Sequence, residues 1–321
     1  MRVLVTGGAG FIGSNLVRRL LADGDSVAVI DDLSTGYEHN ISGLPIDFIR
    51  GSILDPGALT EAAAGADAIV HLGALGSVPR SISDPVASHA ANATGTLMVL
   101  EAARREGAYV TAASSSSVYG SVPDLPRTEE QPTRPMSPYA ASKLATEGYV
   151  LAFGSSYDME TLPLRCFNVY GPRQSAGHAY AAVIPVFIDA ALRGEPLPLH
   201  GDGLQSRDFT YVDTVTWVLA DAVHRRVTSD RAVNLAIGAN VTLLDLIAEL
   251  ERLLGRVLAV KPQPARVGDV RASQSKPDLL RELFPDVPVV PFEQGLAATV
   301  AWFAEQPEYS DSLFTAPDSA G

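Results

Sequence analysis

The chain has one cysteine, Cys166, in 321 residues. An intrachain disulfide is therefore excluded, and a reducing, cytoplasmic setting is expected. Basic residues are scarce: 24 Lys and Arg stand against 37 Asp and Glu, a net charge of −13. So acidic a chain suits neither nucleic acid nor an anionic membrane surface. It also means that any anionic ligand must be met by a few arginines placed together. No apolar run reaches the ~20 residues needed to cross a bilayer. The N-terminus reads directly as a strand, with no signal peptide ahead of it. Internal repeats are lacking too. What remains, 46% hydrophobic and 19% charged, is the composition of a soluble globular protein, long enough for one large or two modest domains. Only the tail from about Gln306, rich in Pro, Ser, Asp and Ala, reads as frayed.

The stretch Met1 to Gly13 organises the rest. It opens with a short apolar run, as a strand buried on both faces does. Gly7, Gly10 and Gly13 follow at G-x-x-G-x-x-G spacing, and Ser14 to Ala22 carries a helical apolar stripe. Alone, such spacing also suits a plain surface turn. Between a strand and a helix it makes a phosphate cradle. Gly7 turns the chain, Gly10 leaves room for a pyrophosphate, Gly13 lets the helix close on the strand, and the N–H groups of Phe11 and Ile12 open the helix. About 20 residues on, the strand Ser26 to Ile30 ends in Asp31. A carboxylate there accepts hydrogen bonds from an adenosine ribose and repels a 2′-phosphate, so the expected cofactor is NAD. Asp32 is expected to be an exposed loop acid.

Further strands are expected near 46–50, 68–72 and 109–113, with helices over 59–64 and 85–105. This alternation predicts an α/β fold, a Rossmann-type doubly wound parallel sheet, with ligands beyond the carboxyl ends of its strands. Those ends bring Ser52-Ile53, Gly73-Ala74 and Ser114 to Ser117 to the site. Past the last of these, Ser137-Pro138 opens a helix in which Tyr139 and Lys143, four apart, share a face. A lysine ammonium lowers the pKa of a neighbouring tyrosine from about 10, so that the phenol can serve as a base. A facing serine hydroxyl would hold the substrate oxygen. Alone, Y-x-x-x-K is also an ordinary amphipathic helix; beyond a dinucleotide cradle it points to hydride chemistry.

These motifs resemble those of the extended short-chain dehydrogenases/reductases, in the NDP-sugar epimerase/dehydratase family. The likeness extends to Leu164-Arg165-Cys166-Phe167-Asn168-Val169-Tyr170-Gly171-Pro172-Arg173, Arg207-Asp208-Phe209 and Ala265 to Arg271. Three phrases are most similar to UDP-N-acetylglucosamine 4-epimerases: Ala74 to Ile82, Ala179 to Pro185 and Gly201 to Phe209. The resemblance implies a catalytic set of Ser115, Tyr139 and Lys143, with Asn92 added to the NAD-binding residues. It implies a UDP-sugar held by Asn168, Val183, Leu199, Asp269 and a diphosphate clamp of Arg207 and Arg266. Two arginines in polar loops of an acidic chain suit that clamp. Gly76, Ser77 and Ser116 would face the sugar and its N-acetyl group, with Cys166 beside them. A homodimer through the helices 85–105 and 139–153 is implied as well. The expected division is a Rossmann domain over 1–170, rejoined by 231–260, and a smaller C-terminal α/β substrate lobe over 171–321.

Four departures from the family pattern stand out. Gly51-Ser52-Ile53 replaces Gly-Asp-Ile at the adenine, and His71-Leu72-Gly73-Ala74 replaces His-x-Ala-Ala under the cofactor. Ser115-Ser116-Ser117 lacks the Asp-Glu pair with which 4,6-dehydratases move protons. Cys166 stands where a tyrosine is usual. The expected reaction starts with transient C4 oxidation of a UDP-N-acetylhexosamine. The outcome is 4-epimerisation, or 5,6-dehydration as in nucleoside-antibiotic (tunicamycin) biosynthesis. A non-catalytic NAD sensor is the rival from another class, and keeping Ser115, Tyr139 and Lys143 together speaks against it.

Overall fold

The computed structural model of the protein describes residues 1–177, 181–265 and 271–309. Seven parallel strands form its main sheet: β1 (Arg2–Thr6), β2 (Ser26–Asp31), β3 (Asp47–Arg50), β4 (Ala68–His71), β5 (Tyr109–Ser115), β6 (Thr161–Cys166) and β7 (Val233–Leu235), in spatial order β7-β6-β5-β4-β1-β2-β3. The order reverses at β1, which pairs with β2 on one side and β4 on the other. A crevice therefore opens at the carboxyl end of β1. Both faces of the sheet are covered. Val3 and Val5 pack with Leu16, Leu20 and Val215, from helices Phe11–Ala22 and Val212–Arg225. Leu4 points the other way, onto Leu59, Leu100 and Val150 of helices Pro56–Ala63, Gly95–Glu106 and Pro138–Tyr157. This two-sided burial is why the strands read as continuous apolar runs.

A second core gathers Tyr170, Phe187, Leu197, Leu250, Leu296 and Phe303. It is framed by two parallel ladders, Asn168–Tyr170 with Phe209–Tyr211 and Leu197–His200 with Val260–Gln263, and by a short antiparallel one, Ser206–Arg207 with Val241–Thr242. Packing departs from the expected division at two places. Only β7 of the segment 231–260 rejoins the main sheet, because helix Leu243–Leu254 buries Leu246 and Leu250 in this second core. Conversely, helix Val212–Arg225 and residues Leu280 and Phe284 pack against the main sheet.

The helix expected over 85–105 is interrupted. It runs as Pro85–His89, a π-type turn Ala90–Thr94, and Gly95–Glu106. The cause is at Asn92, whose carbonyl accepts from the hydroxyls of Thr96 (2.5 Å) and Thr146 (3.0 Å), so side chains take part of the helical ladder's role. Among the described residues, no helix is long and apolar enough to cross a membrane.

Candidate active site

The first turn after β1 is shaped by close approach. Gly7 has φ +70°, and a Cβ on it would lie 2.8 Å from the Gly73 nitrogen. A Cβ on Gly13 would collide with the Gly7 carbonyl. Helix Phe11–Ala22 has no side-chain cap on Gly10, and its first ladder bond is Ser14 N–H to the Gly10 carbonyl at 2.9 Å. The N–H groups of Phe11, Ile12 and Gly13 are left over for a ligand. Asp31, at the end of β2, is buried, with one oxygen accepting from Ala9 N–H at 2.9 Å and the other from Leu33 N–H at 2.8 Å. Burial, ahead of these bonds, raises its carboxyl above the ordinary range. Each oxygen keeps a lone pair for a diol. Gly7, Gly10, Asp31, Ser52, Ile53, Gly73 and Ala74 all line one groove of about 440 Å³. The residues therefore fit a dinucleotide. Asp32 is exposed at the rim and accepts from Ser34 N–H at 2.9 Å.

Asn92 does not face that groove. It is 1% exposed, and its amide is committed to the Leu75 backbone (2.8 and 3.2 Å) and to the Ser142 hydroxyl (2.9 Å). It holds the loop after β4 against helix Pro138–Tyr157, so its assignment as a cofactor contact is corrected. His71 anchors the same region between the hydroxyls of Thr6 (2.8 Å) and Thr96 (3.0 Å).

A second cleft, of about 470 Å³, is lined by Ser77, Tyr139, Asn168, Val183, His200 and Arg207 among others. The segment Ala74 to Ser77 passes from the wall of the groove into the wall of this cleft. Ser77 is strained there, with φ +141°, and its hydroxyl accepts from Arg80 N–H at 3.2 Å. Gly76 beside it is exposed, and Ser116 is half-buried in the turn Ser116–Tyr119. Leu199 is corrected: alternation along Leu197–His200 sends Leu197 and Leu199 into the second core and Pro198 and His200 to the cleft. Arg266 and Asp269 lie outside the described residues.

Ser115, Tyr139 and Lys143 come together behind the wall of this cleft, which Tyr139 lines. Ser137 caps the helix, accepting from Ala140 N–H at 3.1 Å, and Pro138 starts it, which puts Tyr139 in its first turn. The Ser115 side chain lies beside the phenol. Burial raises the Tyr139 pKa, the neighbouring Ser115 hydroxyl opposes that, and Cys166 adds to the rise. The expected lowering by Lys143 is not what this geometry gives. The Lys143 ammonium instead donates to the Ala113 carbonyl at 2.7 Å, and burial carries its own pKa down to about 8. Cys166 pairs in register with Ser115 on β5 and Leu235 on β7. Its thiol is pushed up to about 11 by burial, against a smaller opposing effect of Lys143.

One further turn along the helix, Glu147 accepts two hydrogen bonds from Arg165 (2.8 and 3.0 Å) and one from Ser114 (2.9 Å), all buried. Arg165 also donates to the Tyr119 hydroxyl at 2.9 Å, which donates to Asn234 at 2.7 Å. Sequence reading missed this anchor. Its signal was the spacing of Glu147, four residues beyond Lys143.

A glycine cradle after the first strand, a carboxylate ending the second and a Tyr-x-x-x-Lys helix over the fifth define a dinucleotide-dependent enzyme of the short-chain dehydrogenase/reductase type. The chain belongs to the NAD dependent epimerase/dehydratase family, whose model matches residues 3–236, and NAD is its cofactor. A UDP-glucose 4-epimerase of Mycolicibacterium smegmatis is 37% identical over 312 residues, 94% of this chain and 98% of that one. The structure of a UDP-N-acetylglucosamine 4-epimerase from Methanobrevibacter ruminantium, in complex with UDP-N-acetylmuramic acid, superposes with TM-score 0.89 at 36% identity, covering 94% and 97% of the two chains. The NDP-hexosamine 5,6-dehydratase TunA, involved in tunicamycin biosynthesis, superposes with TM-score 0.86 at 30% identity, covering 97% and 100%.

Proposed function

We propose that the protein oxidises a UDP-N-acetylhexosamine, UDP-N-acetylglucosamine first, transiently at C4, and that the outcome is 4-epimerisation. The observation that carries this reading is that Tyr139, with Ser115 and Lys143 beside it, lines a cleft shared with Asn168 and Arg207 and linked by the segment Ala74 to Ser77 to the dinucleotide groove. NAD, when bound, supplies the hydride acceptor for C4 and returns the hydride. Tyr139 takes the C4 hydroxyl proton and gives it back, while Ser115, whose hydroxyl beside the phenol favours the phenolate, orients the oxygen. Lys143, buried beside them, supplies positive charge. Asn168 and Arg207 hold the nucleotide end, with Arg266 as the second member of the diphosphate clamp and Asp269 beside it. The epimerase reading needs the C4 ketone to present both faces, and the small Cys166 side chain leaves space for that.

The second reading, 5,6-dehydration, is favoured by one local feature. Cys166 stands close enough to Lys143 and Tyr139 to shift with them. In that reading the C4 ketone acidifies the C5 hydrogen, water leaves from C6, and hydride returns to C4. A 4,6-dehydratase is disfavoured, because Ser117 is spent on Ser115, to which it donates through its hydroxyl (2.9 Å) and its N–H (3.2 Å). The protein is further proposed to form a homodimer. Helices Val78–Ser83, Pro85–His89 and Pro138–Tyr157 pack together and leave Ile82, Val86 and Tyr149 exposed. A cytoplasmic location goes with this reading. Incubation with UDP-N-acetylglucosamine and mass analysis of the product test it. Unchanged mass with a new C4 epimer means epimerase, and loss of one water means 5,6-dehydratase. An inert protein that still binds NAD would favour the sensor.

A further inference from the structure

The proposed function uses the Arg207-Asp208-Phe209 stretch only through Arg207. Asp208 faces away from the cleft and is fully buried. One of its oxygens accepts from Gly238 N–H (3.1 Å) and Ser275 N–H (2.9 Å), the other from Ala239 N–H (3.0 Å). A buried carboxylate is costly unless hydrogen-bonded, and three backbone donors offset much of that cost. Burial still prevails and carries the group up to about 6.

The donors come from two places. Gly238 and Ala239 follow β7 of the main sheet. Ser275 lies on the segment Arg271 to Lys276, which is strung between the two parts of the molecule. At one end it bridges Ser206, through Ser206 N–H to the Arg271 carbonyl (3.0 Å) and Ser273 N–H to the Ser206 carbonyl (3.1 Å). At the other it bridges Arg127, through Arg127 N–H to the Gln274 carbonyl (2.7 Å) and Lys276 N–H to the Arg127 carbonyl (2.8 Å). The main chain of Asp208 meanwhile accepts from Asn168 N–H at 3.2 Å. Asp208 thus sits where the main sheet, the strung segment and the cleft wall meet, with Arg207 before it and Asn168 across from it.

We propose that Asp208 is a positioning residue: its carboxylate, clamped by backbone N–H groups from both sides, holds Arg207 and Asn168 in place for the nucleotide-sugar. The inference rests on reading that cleft as the nucleotide-sugar site. The charged groups on the elements around Asp208 are engaged elsewhere. Arg271 pairs with Asp202 at 2.9 Å, Lys276 with Asp278 at 2.8 Å, and the Arg127 guanidinium lies over Tyr119. Tyr170 and Tyr211, on the paired strands, stay neutral near pH 6 because burial raises both. Glu129, which accepts from Asn234 N–H of β7 at 2.9 Å, is also raised by burial, so the Asp208→Asn variant is what separates the two carboxyls.

Amide hydrogen exchange of the full, ligand-free chain between about pH 5 and pH 8, corrected for intrinsic rates, reads the clamp directly. Gly238, Ala239, Ser275 and Asn168 should lose about tenfold or more in protection as the pH falls through 6, while amides of β1 and β2 hold theirs. Asp208→Asn should show the same loss at pH 7.5. That variant should also weaken UDP-N-acetylglucosamine binding by about tenfold or more, with the NAD affinity kept within about twofold. Protection at Asn168 that stays flat through pH 6, or is unaltered in Asp208→Asn, overturns the proposal. So does a loss shared equally by β1, which would make the role merely structural. A flat pH series on the natural chain overturns it even if the variant does not fold. A natural chain that fails to bind UDP-N-acetylglucosamine at pH 7.5 counts against the functional reading, and the exchange result then judges Asp208 on its own.

Discussion

The buried ring of His71 gives the fold a definite pH signature. Its two nitrogens lie 2.8 Å from the Thr6 hydroxyl and 3.0 Å from that of Thr96. Gly73 N–H donates to the Thr6 oxygen at 3.0 Å, so the hydroxyl hydrogen is left to point at Nδ1. The Thr96 hydroxyl is held on the Asn92 carbonyl at 2.5 Å, so it accepts from Nε2–H. A neutral ring protonated on Nε2 satisfies every partner, and a second proton would meet the Thr6 hydrogen. Burial first, and then the charge of Lys143, bring the pKa from 6.5 to about 3. Unfolded, the ring takes a proton below about 6.5; folded, it takes none until about 3. Stability is therefore whole above pH 6.5 and lost progressively down to pH 3. At ~1.4 kcal/mol per pH unit, the loss is about 2 kcal/mol at pH 5 and nears 5 kcal/mol at pH 3. His71→Asn keeps an acceptor for Thr6 but cannot titrate. It should cost about 1–3 kcal/mol at every pH through the missing ring and its Thr96 bond. Urea unfolding of both chains between pH 7.5 and pH 5 measures the gap, provided the m-values agree. The gap should narrow by about 2 kcal/mol over that range. A gap independent of pH, or an imidazole that titrates near 6.5 in the native protein, refutes the reasoning.

Tyr139→Phe should keep the fold and NAD binding and lose the acid/base contribution of about 10²–10⁴ in rate; turnover near the natural rate would remove Tyr139 from the mechanism. Asp31→Ala should narrow the preference for NAD over NADP. A 2′-phosphate about 4 Å from the half-screened carboxylate is disfavoured by ~4 kcal/mol per unit charge, and comparable affinities in the natural chain would sink the assignment. At Cys166, a thiol held up to about 11 stays protonated at neutral pH. Cys166→Ser and Cys166→Ala should therefore keep activity within about tenfold, ~1.4 kcal/mol of barrier, whereas Cys166→Tyr should block the sugar. A fully active tyrosine variant contradicts the steric role.

What could be read from the sequence was local chemistry. The glycine spacing, Asp31 at a strand end and Tyr139 four residues before Lys143 are short-range patterns, recognisable without knowing their distant partners. What escaped depended on partners far along the chain. Asn92 reads as a polar residue in a helix; the π-turn that hides it needs Thr146, 54 residues away. The pKa of Tyr139 goes up chiefly through its burial, which no spacing shows, while Lys143 is held by the Ala113 carbonyl of β5. Leu199 is different, since its inward direction was legible in the alternation Leu197-Pro198-Leu199-His200. The UDP-sugar contact implied by the family resemblance outweighed that pattern.

The helix Pro138–Tyr157 explains how a half-buried tyrosine can be kept ready for proton transfer. Tyr139, Lys143 and Glu147 follow one another at four-residue intervals, and each turn is tied to the sheet. The first meets Ser115 and the second the Ala113 carbonyl, both on β5, while the third meets Ser114 of β5 and Arg165 of β6. Sliding or rotating the helix by a fraction of a turn would break all three ties together. The third is the firmest, because separating a buried carboxylate from its guanidinium costs about 3–5 kcal/mol. The groups proposed to do the chemistry are thus fixed by a buried ion pair, and the cost of desolvating the phenol is borne by the fold. Arg165 is followed at once by Cys166, the register partner of Ser115. The anchor of the helix and the position that departs from the family are adjacent residues of one strand. A change at Cys166 can therefore reshape the space beside the phenol while the Glu147–Arg165 pair and the Lys143–Ala113 bond hold the frame.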